Sequence, residues 1–261
     1  MNTPSRSAFA LWRLCAWAGP VFLVGYVASW AVLGMNLPPL SPKLPLAELY
    51  AHYVDHSIQL RLAYVLSVFF IPFYMVFSSV ISRVMRTIEG DDGTLAIVEQ
   101  MGGATTVVVG MVAGICWLTA AFRVEERRPE IVRTLHDFGW LFFDTTYMVT
   151  GVQMLAMSIV FLSDRRAQPL MPRFLSWYAI FVVTTFLPLS LLPFFYSGPF
   201  AWSGVFCYWI SLGSWFLWVL LLCIHLFKAI DRLEQDQAAE TGRASEPSMP
   251  ASFASPQLAN P

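Results

Sequence analysis

The sequence predicts an all-α transmembrane bundle of six helices. Three observations carry that prediction: apolar runs longer than twenty residues, no alternation of apolar and polar positions, and little charge. Of 261 residues, 57% are hydrophobic and only 13% charged, with a mean hydropathy of +0.59. Soluble domains carry charge on about a quarter of their residues. A helix needs about 20 apolar residues to cross a hydrocarbon core roughly 30 Å thick. A membrane barrel would show segments of ~10 residues alternating in polarity, and none occurs.

The first apolar run, 14–35, follows Arg6 and Arg13 and has no small-residue cleavage pattern, so it reads as a retained span rather than a signal peptide. Leu37-Pro38-Pro39-Leu40-Ser41-Pro42 then breaks the helix. LAELYAHYVDHSIQLRLAY is expected to be helical and to run straight into the second span, 62–82. A Gly90-Asp91-Asp92-Gly93 turn leads to the third span, 101–122, with Glu99 and Gln100 placed at the headgroups. Its Gly110 and Gly114 form a G-x-x-x-G face, suited to packing within the chain or to a homodimer contact. Spans four, five and six follow at 140–162, 174–196 and 202–227, the last two joined by only Ser197 to Ala201. Pro72, Pro188 and Pro193 lie within spans and should kink them, freeing carbonyls beside a cavity. The organisation is a cytoplasmic segment 1–13, a transmembrane domain 14–230 and a disordered cytoplasmic tail 231–261, the tail being rich in Ala, Ser, Pro and Gln.

Lysine and arginine set the orientation. With the N-terminus inside, the inner segments hold Arg6, Arg13, Arg83, Arg86, Arg165, Arg166, Arg173, Lys228, Arg232 and Arg243. The outer segments hold Lys43, Arg61, Arg123, Arg127, Arg128 and Arg133, four of them in a stretch where Glu125, Glu126, Glu130 and Asp137 match them in number. Both termini are therefore expected in the cytoplasm. A net charge of −1 gives no reason to expect nucleic acid. Cys15, Cys116, Cys207 and Cys223 sit in separate spans with no CxxC spacing, as packing cysteines do.

Asp144 is the one carboxylate inside the six spans as drawn, and an ionisable group there is a functional candidate because its burial is costly. Asp137, Trp140, Asp144, Tyr147 and Gly151 recur at helical steps and share a face of span four. Arg61 and Arg123, at the outer ends of spans two and three, could complete a charge-compensated cavity mouth. The alternative is a structural pairing of Asp144 with an arginine at the rim. Glu48, His52 and His56 recur every fourth residue, a spacing that can share a metal ion, or equally mark an amphipathic interfacial helix. His225 lacks a partner histidine for haem and no span holds a lysine for a Schiff base, so no cofactor is expected. Aromatic residues such as Phe69, Phe70, Phe73, Tyr74, Phe194, Phe195, Trp209, Trp215 and Trp218 could line a cavity or belt the interface.

Three pieces carry a resemblance: Met85-Arg86-Thr87-Ile88-Glu89-Gly90, AFRVEERRPEIVRTLHDFGWLFF at 121–143, and LLPFFYSGPFAWSG at 191–204. In order and spacing they resemble a bacterial family of six-span integral membrane proteins without an assigned activity. The resemblance implies six helices and the bacterial inner membrane. Val124 and His136 depart from the family's pattern, whereas Asp137 and Trp140 match it. Two functions are expected as alternatives. One is binding or carriage of a small apolar, lipid-like molecule, or an accessory role beside a membrane-protein partner. The other is acid–base chemistry by Asp144 and Asp137 on an isoprenoid- or steroid-like substrate.

Overall fold

The computed structural model describes residues 6–245, and among these there is no strand. Six helical stretches are long and apolar enough to cross a membrane: Ser7–Leu33, Ser57–Glu89, Thr94–Ala121, Pro129–Leu162, Arg173–Phe194 and Val205–Thr241. Their outward faces carry Val24, Ile58, Phe69, Met101, Phe181 and Leu217 in the open. An apolar surface that extensive is solvated by lipid rather than water. The chain is a multi-pass membrane protein.

Only the third span is one unbroken α-helix. The first joins α1 (Arg6–Ala16) and α2 (Ala18–Tyr26) to a wider π-helical segment, Val27–Leu33. Its i→i+5 pattern continues past the end, with Gly34 N bonded to Ser29 O at 2.8 Å and Asn36 N to Ala31 O at 2.9 Å. The connector helix α3 (Leu46–Asp55) follows, then α4 (Ser57–Phe70) and α5 (Pro72–Glu89). The α3–α4 helix expected to be continuous is broken at His56, whose φ of −114° and ψ of 18° leave the helical region. Pro72, lacking an N–H, opens α5 in its first turn, where the missing donor has no helical partner to lose.

The third span is α6 (Thr94–Ala121). The Glu89 carboxylate caps it, accepting from Leu95 N at 2.8 Å and Ala96 N at 3.0 Å. A negative group at a helix N-terminus satisfies orphan donors and complements the dipole. The fourth span is α7 (Pro129–Thr145) and α8 (Met148–Leu162), broken at Thr146–Tyr147. The fifth is α9 (Arg173–Phe186) tightening into a 3₁₀ stretch, Leu187–Phe194, which holds Pro188 and Pro193. The sixth begins π-helically at Val205–Leu212 and continues as α10 (Gly213–Ser245).

The tail was expected to be unstructured from 231, yet α10 runs to Ser245. Residues 233–245 include Leu, Glu, Gln and Ala, good helix formers. The span upstream supplies the helix nucleus, which is the costly step. Arg13 of α1 ties the first span to α10, meeting Asp231 at 2.8 Å and Glu234 at 2.5 Å. The rest of the predicted tail, 246–261, lies outside the described residues.

α6 packs against α4, α5, α7 and α8. Its small residues allow this. A Cβ on Gly110 would collide with Ile71, and one on Gly114 would stand 2.9 Å from Val68. The G-x-x-x-G face is thus filled from within the chain. At the far end of the bundle from the termini, Trp30, Trp117 and Trp140 form a buried cluster with ring centroids 5.2–6.3 Å apart. Trp202 stacks on Trp140 at 6.2 Å.

Candidate functional site

A partly open pocket lies where the helices depart from α geometry. Ile71 from the α4–α5 junction, Thr146 and Tyr147 from the α7–α8 break, Leu189 from the 3₁₀ stretch, and Cys207 and Ser211 from the π-helical segment all reach its wall. Irregular backbone in a membrane protein is tolerated where it is buried or lines a cavity. The breaks and the pocket are therefore one feature.

Most of the wall is aromatic or aliphatic: Phe22, Tyr26, Tyr74, Phe143, Phe186 and Trp215. Asp144 is the only ionisable carboxyl on it. Its side chain is buried, 9% exposed, and takes part in no hydrogen bond or ion pair among the described residues. Most other hydroxyls on the wall are already engaged, Tyr26 excepted. Thr106 and Thr150 share a hydrogen bond at 2.9 Å, Tyr147 and Ser190 share one at 2.5 Å, and Ser211 donates to Phe206 O at 2.8 Å and to Thr185 O. Asp144 thus presents free hydrogen-bonding capacity to a mostly apolar space.

Of the residues expected to form a cavity mouth, Asp144 and Tyr147 line the pocket, and Asp137, Trp140, Arg61 and Arg123 do not. The helical face predicted to be continuous is interrupted after Thr145. Trp140 instead joins the tryptophan cluster. Arg61 Nε donates to Ser57 O at 3.2 Å, on its own helix. Arg123 is exposed in a left-handed turn (φ 54°), its guanidinium 5.1 Å from the Phe122 ring. Neither arginine pairs with an acid among the described residues. The charge-compensated mouth is not assembled, because the turn after α6 carries Arg123 outward. Arg133 takes the nearby role, donating to Leu44 O at 2.6 Å across to the connector.

Glu48, His52 and His56 do not assemble with a further ligand either: no group of three described His, Cys, Asp or Glu side chains could hold a metal ion. The His52 and His56 rings are 5.0 Å apart, and His56 Nδ1 lies 3.1 Å from His52 O. Burial lowers the His52 pKa, and His56 beside it adds to the shift. His136 is a packing residue, its Nδ1 2.9 Å from the Tyr53 hydroxyl.

A second buried acid was placed at the headgroups by sequence and is inside the bundle. Glu99 is fully enclosed, 0% exposed. Ser78 Oγ donates to its Oε1 at 2.8 Å, Gln153 Nε2 donates to the same oxygen at 3.1 Å, and the Tyr74 hydroxyl donates to Gln153 Oε1 at 3.3 Å. Glu99 Oε2 has no partner. The third span begins at Thr94 rather than at 101. One sequence signal marks Glu99. Gly102 and Gly103 follow at i+3 and i+4, on the same face. A Cβ on Gly102 would stand 2.6 Å from the Gln153 Cβ, so these glycines let α5 and α8 reach the carboxyl.

Compared with known proteins, the chain matches no family model, no curated protein and no solved structure.

Proposed function

We propose that this membrane protein binds a small apolar molecule carrying one hydrogen-bonding group, a long-chain alcohol being the simplest example. The observation that carries the reading is the unpartnered, buried Asp144 carboxyl on an aromatic-walled, partly open pocket. Ligand sites are mostly apolar clefts with a few placed polar groups, and this pocket has that composition. The ligand's apolar part would lie against Phe143, Tyr74 and Trp215 while its hydroxyl or carbonyl meets Asp144. The likeness to bacterial six-span proteins and the lysine and arginine distribution support a bacterial inner-membrane location with both termini in the cytoplasm.

Native mass spectrometry of the detergent-released protein, titrated with hexadecanol, tests the reading. One molecule should bind per chain. Leu212→Trp, which fills the pocket, should abolish binding, and Asp144→Leu should weaken it about tenfold, the worth of one hydrogen bond. Equal binding by wild type and Leu212→Trp would sink the proposal. The aromatic walls beside the carboxyl also favour a second reading, acid–base chemistry on an apolar substrate. Its signature is recovery of a chemically altered ligand that Asp144→Asn no longer yields.

A further inference from the structure

Glu99 stands outside the pocket, and nothing in the ligand-binding reading uses it. Its surroundings are specific. On α6 it lies five residues, roughly 8 Å, from the start of the helix near the termini end of the bundle. The side chain is sealed by α5 and α8. No cation meets it: Arg83 and Arg86 of α5 form no ion pair with it, and α8 has no charged residue. Arg61 of α4 and Arg133, Asp137 and Asp144 of α7 sit on elements that pack along the later turns of α6, where Val68 meets Gly114 and Trp117 meets Gly139. The titratable groups that do face it are Tyr74 of α5 and, next to Tyr74, Cys223 of α10.

The hydrogen bonding is lopsided. Both donors, Ser78 Oγ and Gln153 Nε2, converge on Oε1, and Oε2 receives none. A carboxylate shares its charge over two equivalent oxygens and leaves a costly orphan here. A neutral acid puts its strong acceptor, the carbonyl, at Oε1 and leaves one unpaired O–H at Oε2, which costs less than an unpaired share of a full charge. On that difference the geometry favours the neutral acid. Intramembrane acids that face a bundle interior commonly serve as proton sites.

Glu99 is also connected to the pocket. Gln153 uses its two amide ends to join Glu99 to the Tyr74 hydroxyl, and the Tyr74 ring lines the pocket wall. A ligand pressing on that ring moves the donor of the Tyr74–Gln153 bond. Ionisation of Glu99 pulls on the amide N–H of the Gln153–Glu99 bond. Each event changes the other's hydrogen bonding, which is reciprocal coupling in the thermodynamic sense.

We propose that Glu99 is a proton-binding site inside the bundle, and that its proton occupancy is coupled to occupancy of the pocket through Gln153 and Tyr74. The coupling half rests on the ligand reading; the proton half does not. The proton adds to one carboxylate oxygen from water at the termini end and leaves the same way, so no other reactant is needed.

Two measurements on the full chain separate the halves. Infrared spectroscopy in lipid membranes, with deuterium exchange and a pH titration, reads the carbonyl stretch of protonated carboxyls. A band should be present in wild type, shift on deuteration and titrate away in alkali. It should vanish in Glu99→Gln, which keeps the acceptor for Ser78 and Gln153, and persist in Asp144→Asn. A wild-type spectrum without a titrating band, or one unchanged in Glu99→Gln, overturns the proton site. Hexadecanol binding measured at acid and alkaline pH should differ on the order of 5-fold or more in wild type. The difference should disappear in Gln153→Leu, outside the pocket wall, while binding itself survives. Binding with equal pH dependence in wild type and Gln153→Leu overturns the coupling. No binding at any pH defeats the pocket reading and the coupling together, and leaves the infrared result to decide Glu99.

Discussion

At Gly103 a single hydrogen in place of a methyl decides whether the Glu99 network exists. A Cβ there would overlap Ser78 Oγ and stand 3.0 Å from Gln153 Nε2, the two donors that Glu99 depends on. Gly103→Ala should therefore cost about 1–3 kcal/mol, as overpacking does. A lower melting temperature in detergent is the readout. Gly213→Ala is the control, since nothing lies within 4 Å of a Cβ at that helical position. It should be neutral or slightly stabilising by the helix propensity of alanine. Equal losses for the two variants would remove the argument that close approach, rather than flexibility, sets the role of Gly103. At the same scale, Asp144 was legible in sequence because a lone acid in an apolar run stands out. Glu99 was not, because beside Gln100 it read as a headgroup residue at the edge of the span.

Among elements, departures from the α-helix do most to shape the interior. The proline positions announced two of them: Pro72 at the α4–α5 junction and the Pro188–Pro193 pair in the 3₁₀ stretch. The π-helical segments Val27–Leu33 and Val205–Leu212 and the break after Thr145 carry no proline. They follow from how neighbours pack, so composition could not reveal them. Local capping matters equally. Glu89 is the cap of α6 rather than part of a solvated loop, and it receives two backbone N–H groups. Glu89→Ala should lower stability by about 1–2 kcal/mol, within the range of lost caps. Glu89→Gln, still able to accept hydrogen bonds, should lose less. Thermal melts of both variants check this, and a Glu89→Ala protein as stable as wild type would remove the cap from the account.

For the whole molecule, the Arg13 bridge to Asp231 and Glu234 brings α1 and the later part of α10 to one end of the bundle, as an even number of spans requires. Which end faces the cytoplasm is a separate matter, carried by the arginine count. Asp91 and Glu126 are exposed in connectors at opposite ends of α6. With the native cysteines within the spans, single cysteines at these two positions can be labelled with a membrane-impermeant maleimide on intact cells. Glu126→Cys should react at once, and Asp91→Cys only after permeabilisation. The reverse pattern inverts the proposed orientation, and reaction of both from outside contradicts a single crossing between them.

The sequence by itself determined the solvent, the helical class and the number of crossings, because these depend on summed transfer free energy along each segment and on nothing beyond it. It also singled out Asp144, whose cost in an apolar run is local. Only the tertiary structure decided which polar groups meet. Arg61 and Arg123, placed near the acids by linear depth, turn to their own backbone or to the exterior. Glu99, Ser78, Gln153 and Tyr74 come from three helices and converge. Convergence depends on helix rotation and on glycines that let backbones approach, and neither quantity can be read from one segment at a time.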